Sequence, residues 1–307
     1  MKLLAVGSMI LTLAGGAAAD DFPVLRFAEQ QVFAEVRDAS DLQQRLVKSM
    51  LELQRMIEEP PQIEEEEEEP PADGDKRRPP SRDDRVRTLY HDIAATYNAY
   101  GAKFVAAYYF AALAARFPDE PHYQADVADM MLDMGERDRA LALFNKAIAL
   151  GGSDPYLFIR IGDLYFADGD FQRARDSYNR ARELGGDSDR PAHSLLMLAS
   201  IDALSGVDYR HALGRDAATL PNLDWPYPLI KVFLGTAEEV DLVAYFSADQ
   251  EGRDHLCEAL FYLGHLSLGR GDKDTARRYF RAVINTRLPD FRETGLARLA
   301  LDRLRER

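Results

Sequence analysis

Pro155-Tyr-Leu-Phe-Ile-Arg-Ile-Gly-Asp-Leu-Tyr-Phe-Ala-Asp-Gly-Asp-Phe-Gln-Arg-Ala-Arg-Asp-Ser-Tyr-Asn-Arg-Ala-Arg-Glu-Leu-Gly185 is the stretch that decides the fold. It reads as two short helices joined at Gly169-Asp170. The first presents bulky Phe158, Ile161 and Tyr165, with Gly162 at the point where a neighbouring helix must come close. The second sets Ala174 and Ala181 on either side of Tyr178. Large knobs on one helix thus face small sockets on the other, and the unit can bury that face only against its neighbours.

Two more copies precede it in phase. The turn glycines Gly135 and Gly101 lie 34 and 68 residues upstream of Gly169. In the middle unit Val127 and Ala128 take the places of Ile161 and Gly162, and Ala140, Phe144 and Ala147 follow the turn. In the first, Tyr90, Ile93, Ala94 and Tyr97 precede the turn, and Ala106, Phe110, Leu113 and Pro118 follow it. A generic helical hairpin does not hold such a register. The pattern resembles the tetratricopeptide repeat, a helical pair of 34 residues. The expected fold is therefore all-α: a solenoid of antiparallel helix pairs, with three regular repeats over residues 85–188 and a divergent repeat-like region over 189–307.

Composition narrows the function. The chain has 307 residues, 46% of them hydrophobic, a formal charge of −14 and a pI near 4.9. An acidic chain without long basic stretches is not built to displace counterions from a phosphate backbone, so no nucleic-acid partner is expected. With Cys257 as its one cysteine, it has no intrachain disulfide and no multi-thiolate metal site.

Residues 1–19 read as a secretory leader: Lys2, the apolar run Leu3–Leu13, then Ala17-Ala18-Ala19 before Asp20. The run is short for a bilayer span, and no cysteine stands at the cleavage point to carry a lipid. The expectation is a soluble periplasmic protein without stable membrane insertion. Residues 20–57 form a helical segment in two pieces. Val24, Phe27, Val32 and Val36 mark the first, and a Ser40/Gln43 capping box opens the second, with its stripe Leu42, Leu46, Met50, Leu53 and Ile57. That stripe either packs on the repeats or drives self-association. Residues 58–84 hold three Pro-Pro pairs, the run Glu64–Glu69, and twelve acids against four bases; like-charge repulsion and proline make this a disordered linker. Residues 270–307 carry eleven bases against six acids, a surface on which the linker could dock.

Beyond the regular repeats, Leu195, Leu198, Ile201 and Leu204 give a helix after Pro191, and Tyr209–Ala218 its partner. Thr236 with Glu239 reads as a capping box opening a helix to Phe246. Leu260, Leu263, Gly264, Gly271-Asp272, Ala276, Phe280 and Val283 form a further repeat, expected out of phase with the first three. A helix from Pro289 to Arg305, with Leu296, Leu299, Ala300 and Leu304, caps the array. The segment Trp225–Gly235 with Phe261-Tyr262-Leu263-Gly264-His265 and Gly271-Asp272-Lys273-Asp274-Thr275-Ala276 is similar to the C-terminal half of NlpI-like repeat proteins, over residues 221–300. That resemblance implies an envelope adaptor holding peptidoglycan hydrolases or a protease. This chain differs in lacking the lipid-bearing cysteine and in its acidic linker.

No pair among His91, His122, His193, His211, His255 and His265 has helical zinc spacing with a third ligand, and no nucleophile elbow or phosphate loop is present. Cys257, beside Leu256 and Ala259, reads as a buried structural thiol. No catalysis and no cofactor are expected. The repeat resemblance implies that the first helix of each pair lines a concave face. Carried onto this chain, the partner-binding residues are His91, Asn98, His122, Asp129, Asp133, Tyr156, Asp163 and Phe166, with Ala95, Ala99, Ala125, Leu132, Ile159 and Ala167 between them. Such an acidic, aromatic groove suits a protein segment with basic and apolar side chains. A second expectation stays open: a structural oligomer assembled through residues 20–57.

Overall fold

A computed structural model describes residues 22–31, 39–58, 81–185, 190–220, 224–247, 249–289 and 291–305. The leader, the linker from 59 to 80, and Val32 and Val36 lie outside these. The described chain is helical, with no strand: α1 (Pro23–Gln30), α2 (Ala39–Glu58), α3 (Arg82–Ala99), α4 (Lys103–Arg116), α5 (Pro121–Asp133), α6 (Arg137–Ala149), α7 (Pro155–Asp168), α8 (Phe171–Leu184), α9 (Arg190–Leu204), α10 (Arg210–Ala217), α11 (Tyr227–Leu234), a 3₁₀ helix (Glu239–Tyr245), α12 (Gln250–Gly269), α13 (Lys273–Asn285) and α14 (Arg292–Arg305).

One device recurs in the best-formed pairs, a small residue on the first helix and an aromatic ring sixteen residues on. A Cβ on Gly162 would sit 2.6 Å from the Tyr178 ring, and one on Gly264 2.7 Å from Phe280. Ala94 with Phe110 and Ala128 with Phe144 take the same places, each pair sharing a buried cluster. Burying each ring contributes about 2–3 kcal/mol. Between the helices Gly101, Gly135, Gly169 and Gly271 turn the chain at φ of 76°, 83°, 77° and 83°. That is left-handed backbone which a Cβ disfavours by about 1 kcal/mol.

These glycines correct one expectation. Gly271 follows Gly169 by 102 residues, three repeats of 34, so the last pair is in phase after all. Gly206 and Gly235 supply the two turns between, at intervals of 37, 29 and 36 residues. The two middle pairs are irregular in length, with α10 and α11 only 8 residues each, yet the array never loses count.

Local signals set the helix starts. Asp154, Asp170, Asp249 and Asp272 each cap a helix, accepting from the backbone N–H of Tyr156, Arg173, Gly252 and Thr275; such a cap stabilises by about 1 kcal/mol. Ser81 and Asp84 form a reciprocal capping box at the start of α3. The repeats therefore begin at Ser81, inside what composition assigned to the linker. One other cap falls elsewhere than expected. Glu238 with Asp241, not Thr236 with Glu239, opens the segment before Phe246, and it is a 3₁₀ helix. Ser40 lies within α2, which starts at Ala39.

The N-terminal segment does not act as one body. Helix α2 packs on α3, whereas α1 packs on the 3₁₀ helix, α12 and α13. Val24 and Leu25 are wholly buried there. The Val24 amide donates to Glu239 Oε1 (3.1 Å), which also accepts from Tyr279 Oη (2.8 Å). Phe22 meets Tyr279 edge-on, Phe27 lies against Phe246, and Arg278 donates to Glu29 (3.1 Å). At the other end α14 caps the array as expected, burying Leu296, Leu301 and Leu304 while Arg298, Asp302 and Arg305 face solvent.

Candidate functional site

The first helices of the regular pairs line one side of the array, and their polar residues form a connected system. On α5, Asp126, Asp129 and Asp133 fall at spacings of three and four, hence on one face. Facing them from α7 is Arg160, 5% exposed, which donates from Nε to Asp129 Oδ1 (2.6 Å) and lies 3.6 Å from Asp133 and 3.4 Å from Asp163. Lys103, at the start of α4, donates to Asp133 (2.7 Å) and to Asn98 of α3 (2.8 Å).

From Asp163 the system continues into the C-terminal half. Asp163 has no exposed surface; its Oδ1 accepts from Tyr178 Oη (2.8 Å) and from Arg292 of α14 (2.9 Å). Arg292 also donates to Tyr262 Oη (2.7 Å) and pairs with Glu293 (2.8 Å). His193 Nδ1 lies 3.3 Å from the same Tyr262 hydroxyl, and the Trp225 indole donates to Glu258 (2.6 Å). A buried charge left without its partner costs several kcal/mol, so this ribbon ties α14 to α7. Burial and the adjacent carboxylates hold the Tyr178 and Tyr262 hydroxyls protonated, well above the usual phenol range.

This docking corrects part of the expected site. Asp163 and Phe166 do not face an open groove, because α14 and α12 cover them. Phe166 is 5% exposed and lies edge-on to His265. His265 is boxed by Phe166, Phe261 and Phe280, and burial pushes its imidazole down to about 3. What space is left between α7 and α14 is a cavity of about 370 Å³, lined by Phe166, Ala167, Leu296, Leu299 and Arg303 among others.

Ile159 and Ala167 are buried as well, and the other expected residues stay within reach of solvent. His91 rests edge-on against Phe110, and His122 lies 3.9 Å from the Tyr123 ring and 3.7 Å from Glu120. Burial lowers the His122 pKa, against the opposing charge of Glu120. Asn98 is half-buried and already engaged by Lys103; Asp129 and Asp133 keep 18% and 21% of their side-chain surface. Tyr156 is 38% exposed, beside Arg160.

Asp126 was not among the expected residues and is the most telling. No described residue pairs with it, and burial, reinforced by the charge of Asp129, pushes its carboxyl up to about 7. Sequence reading also missed Arg160 and Arg292, although an arginine inside the apolar run Leu-Phe-Ile-Arg-Ile-Gly-Asp was a visible signal. Cys257 is buried as expected, near Thr294 (4.0 Å), and burial raises its thiol pKa far from reactivity. Among the described residues no group of His, Cys, Asp and Glu converges as a metal site, and no helix is long and apolar enough to cross a membrane.

Fold and face together define an all-α helical-repeat protein. Residues 258–286, spanning most of α12 and α13, match the family model described as tetratricopeptide repeat. The crystal structure of MamA protein is similar to this chain at 16% identity, over 66% of this chain and 91% of that one, with a TM-score of 0.38.

Proposed function

We propose that this chain is a non-catalytic scaffold that holds a protein partner across the concave face of α3, α5 and the start of α7. The observation that carries the reading is Asp126. It is an unpaired carboxyl in an acidic row whose other members, Asp129 and Asp133, already have Arg160 and Lys103. A lysine or arginine of a bound segment would complete the row, with Tyr156, His91 and His122 as flat contacts beside it. The leader-like residues 1–19 and the NlpI-like resemblance over residues 221–300 support an exported, soluble periplasmic role, with a wall hydrolase or protease as the client class.

The test is affinity capture from envelope extract with the full chain and with Asp126→Lys. Recovery of a client by the parent but not by the variant, at equal melting temperature, supports the reading. Equal recovery by both removes the groove assignment. A second reading, self-assembly through the N-terminal segment, is favoured by one observation: α2 leaves Val47, Met50 and Leu51 exposed. If Val47→Lys with Leu51→Lys leaves sedimentation of the full chain unchanged, that reading fails.

A further inference from the structure

Phe104 and Tyr108 are the two most exposed large apolar side chains among the described residues, at 81% and 70%. They stand one turn apart on the outer face of α4, whose inner face buries Ala106, Ala107, Phe110 and Leu113. From 104 to 115 this helix has no charged residue, in a chain that is 29% charged. A soluble surface of this kind is normally covered.

Besides Val105 at the flank, the outward residues are Phe104, Tyr108, Ala111 and Ala115, at steps of four, three and four, the spacing of a helix–helix seam. The large ones all precede the small ones. When two identical helices pack antiparallel about a two-fold axis, residue i faces residue j with a constant sum. With the axis through the midpoint of α4, between 109 and 110, Phe104 faces the partner's Ala115 and Tyr108 faces the partner's Ala111. Each ring then lies over a small residue, the same knob-and-socket device that joins the helices within each repeat. A parallel pairing would instead set ring against ring and leave the alanines apart.

We infer that the outer face of α4 docks on the same face of a second copy of this chain. The cations that the axis brings together, Lys103 and the partner's Arg116, add little repulsion. Lys103 is held by Asp133 (2.7 Å), and Arg116 by Asp83 (2.7 Å). The two rings offer roughly 300 Å² per copy, given about 200 Å² for a whole aromatic side chain. Helix α2, whose Leu53 lines a cleft with Ala112 and Leu113 of α4, would bring its exposed Val47, Met50 and Leu51 to the rim of this surface. Together the two copies reach about the 1,000 Å² that a specific interface requires, which fits a dimer of micromolar strength. The surface adjoins the acidic row through Lys103, which pairs with Asp133, but does not include Asp126 or Tyr156, so a dimer presents two grooves.

Sedimentation of the full chain from about 1 to about 200 µM, bracketing that strength, is predicted to show a monomer–dimer equilibrium. Phe104→Ala with Tyr108→Ala should weaken it roughly ten-fold or more, as loss of two aromatic anchors does. Ala111→Lys should do the same by filling a socket, and both variants should melt like the parent because the residues are exposed. For register, an oxidised mixture of Tyr108→Cys and Ala111→Cys chains should cross-link better than one of Tyr108→Cys and Ala115→Cys; Cys257 is buried and does not compete. A parent chain that stays monomeric throughout, a dimer indifferent to both variants, or preferential cross-linking of the second mixture would each overturn the proposal.

Discussion

The two halves of the array use one repeat and treat its concave side in opposite ways. Over α7 the groove is filled by the chain itself: α14 lies across it, Arg292 reaches Asp163, and Phe166 is shut against His265. Over α3 and α5 no described helix lies across the face, and no described residue pairs with Asp126. The outer faces differ too, since α14 turns Arg298, Asp302 and Arg305 to water whereas α4 turns Phe104 and Tyr108. A helical repeat thus fixes the backbone of a groove but not its availability; the terminal segments decide that.

The sharpest way to break this contrast is to remove one member of the closed ribbon. Asp163→Ala should cost about 3 kcal/mol, because it removes the acceptor that Arg292 and Tyr178 share inside a buried network, although Glu293 still pairs with Arg292 and Asp129 with Arg160. Trp225, the sole tryptophan, lies in the C-terminal half, so its fluorescence in a urea titration reports the loss there. Far-ultraviolet circular dichroism should show the N-terminal repeats melting later than the tryptophan signal.

Leu25→Ala comes next, with an expected loss of about 3 kcal/mol from the same half. The residue belongs to the N-terminal α1 yet is buried against C-terminal helices, so a tryptophan transition that does not shift would dissolve that link. Gly162→Ala should cost about 2 kcal/mol through overpacking, since the Tyr178 ring it would strike is held by Asp163 and cannot swing away. Melting temperature checks it.

The smallest effect belongs to the open half and has the opposite sign. The Asp126 carboxyl titrates near 7 in the folded chain, against 3.8 as its ordinary value. Between those values the folded state binds more protons than the unfolded one, so this group lowers stability as pH rises from about 4 to about 7. Asp126→Asn removes that loss. It should stabilise the protein at pH 8 by about 1 kcal/mol, allowing for partial exposure, and change little at pH 4. The same ionisation should strengthen binding of a basic segment above pH 7.

Much of this was legible beforehand for a physical reason. Short-range packing inside a repeat writes itself at fixed spacings, so Gly162 with Tyr178 and Ala128 with Phe144 announced the helix pairs, and Cys257 among apolar neighbours announced its burial. The closure did not show. Arg292 meets Asp163 across 129 residues and Val24 meets Glu239 across 215, contacts that no local pattern encodes. Hence Asp163 and Phe166 looked like groove residues by position while serving as the seat of α14. The phase of the last repeat was obscured by unequal intervals that compensate only when summed.

The central claim is that α14 closes the groove over α7, and a double-mutant cycle of Asp163→Asn and Arg292→Gln tests it most directly. Unfolding free energies from the tryptophan transition should reveal a coupling of about 1–3 kcal/mol, as for groups in one buried network. Additivity within about 0.5 kcal/mol would contradict the closure, because two side chains that never meet have nothing to lose together.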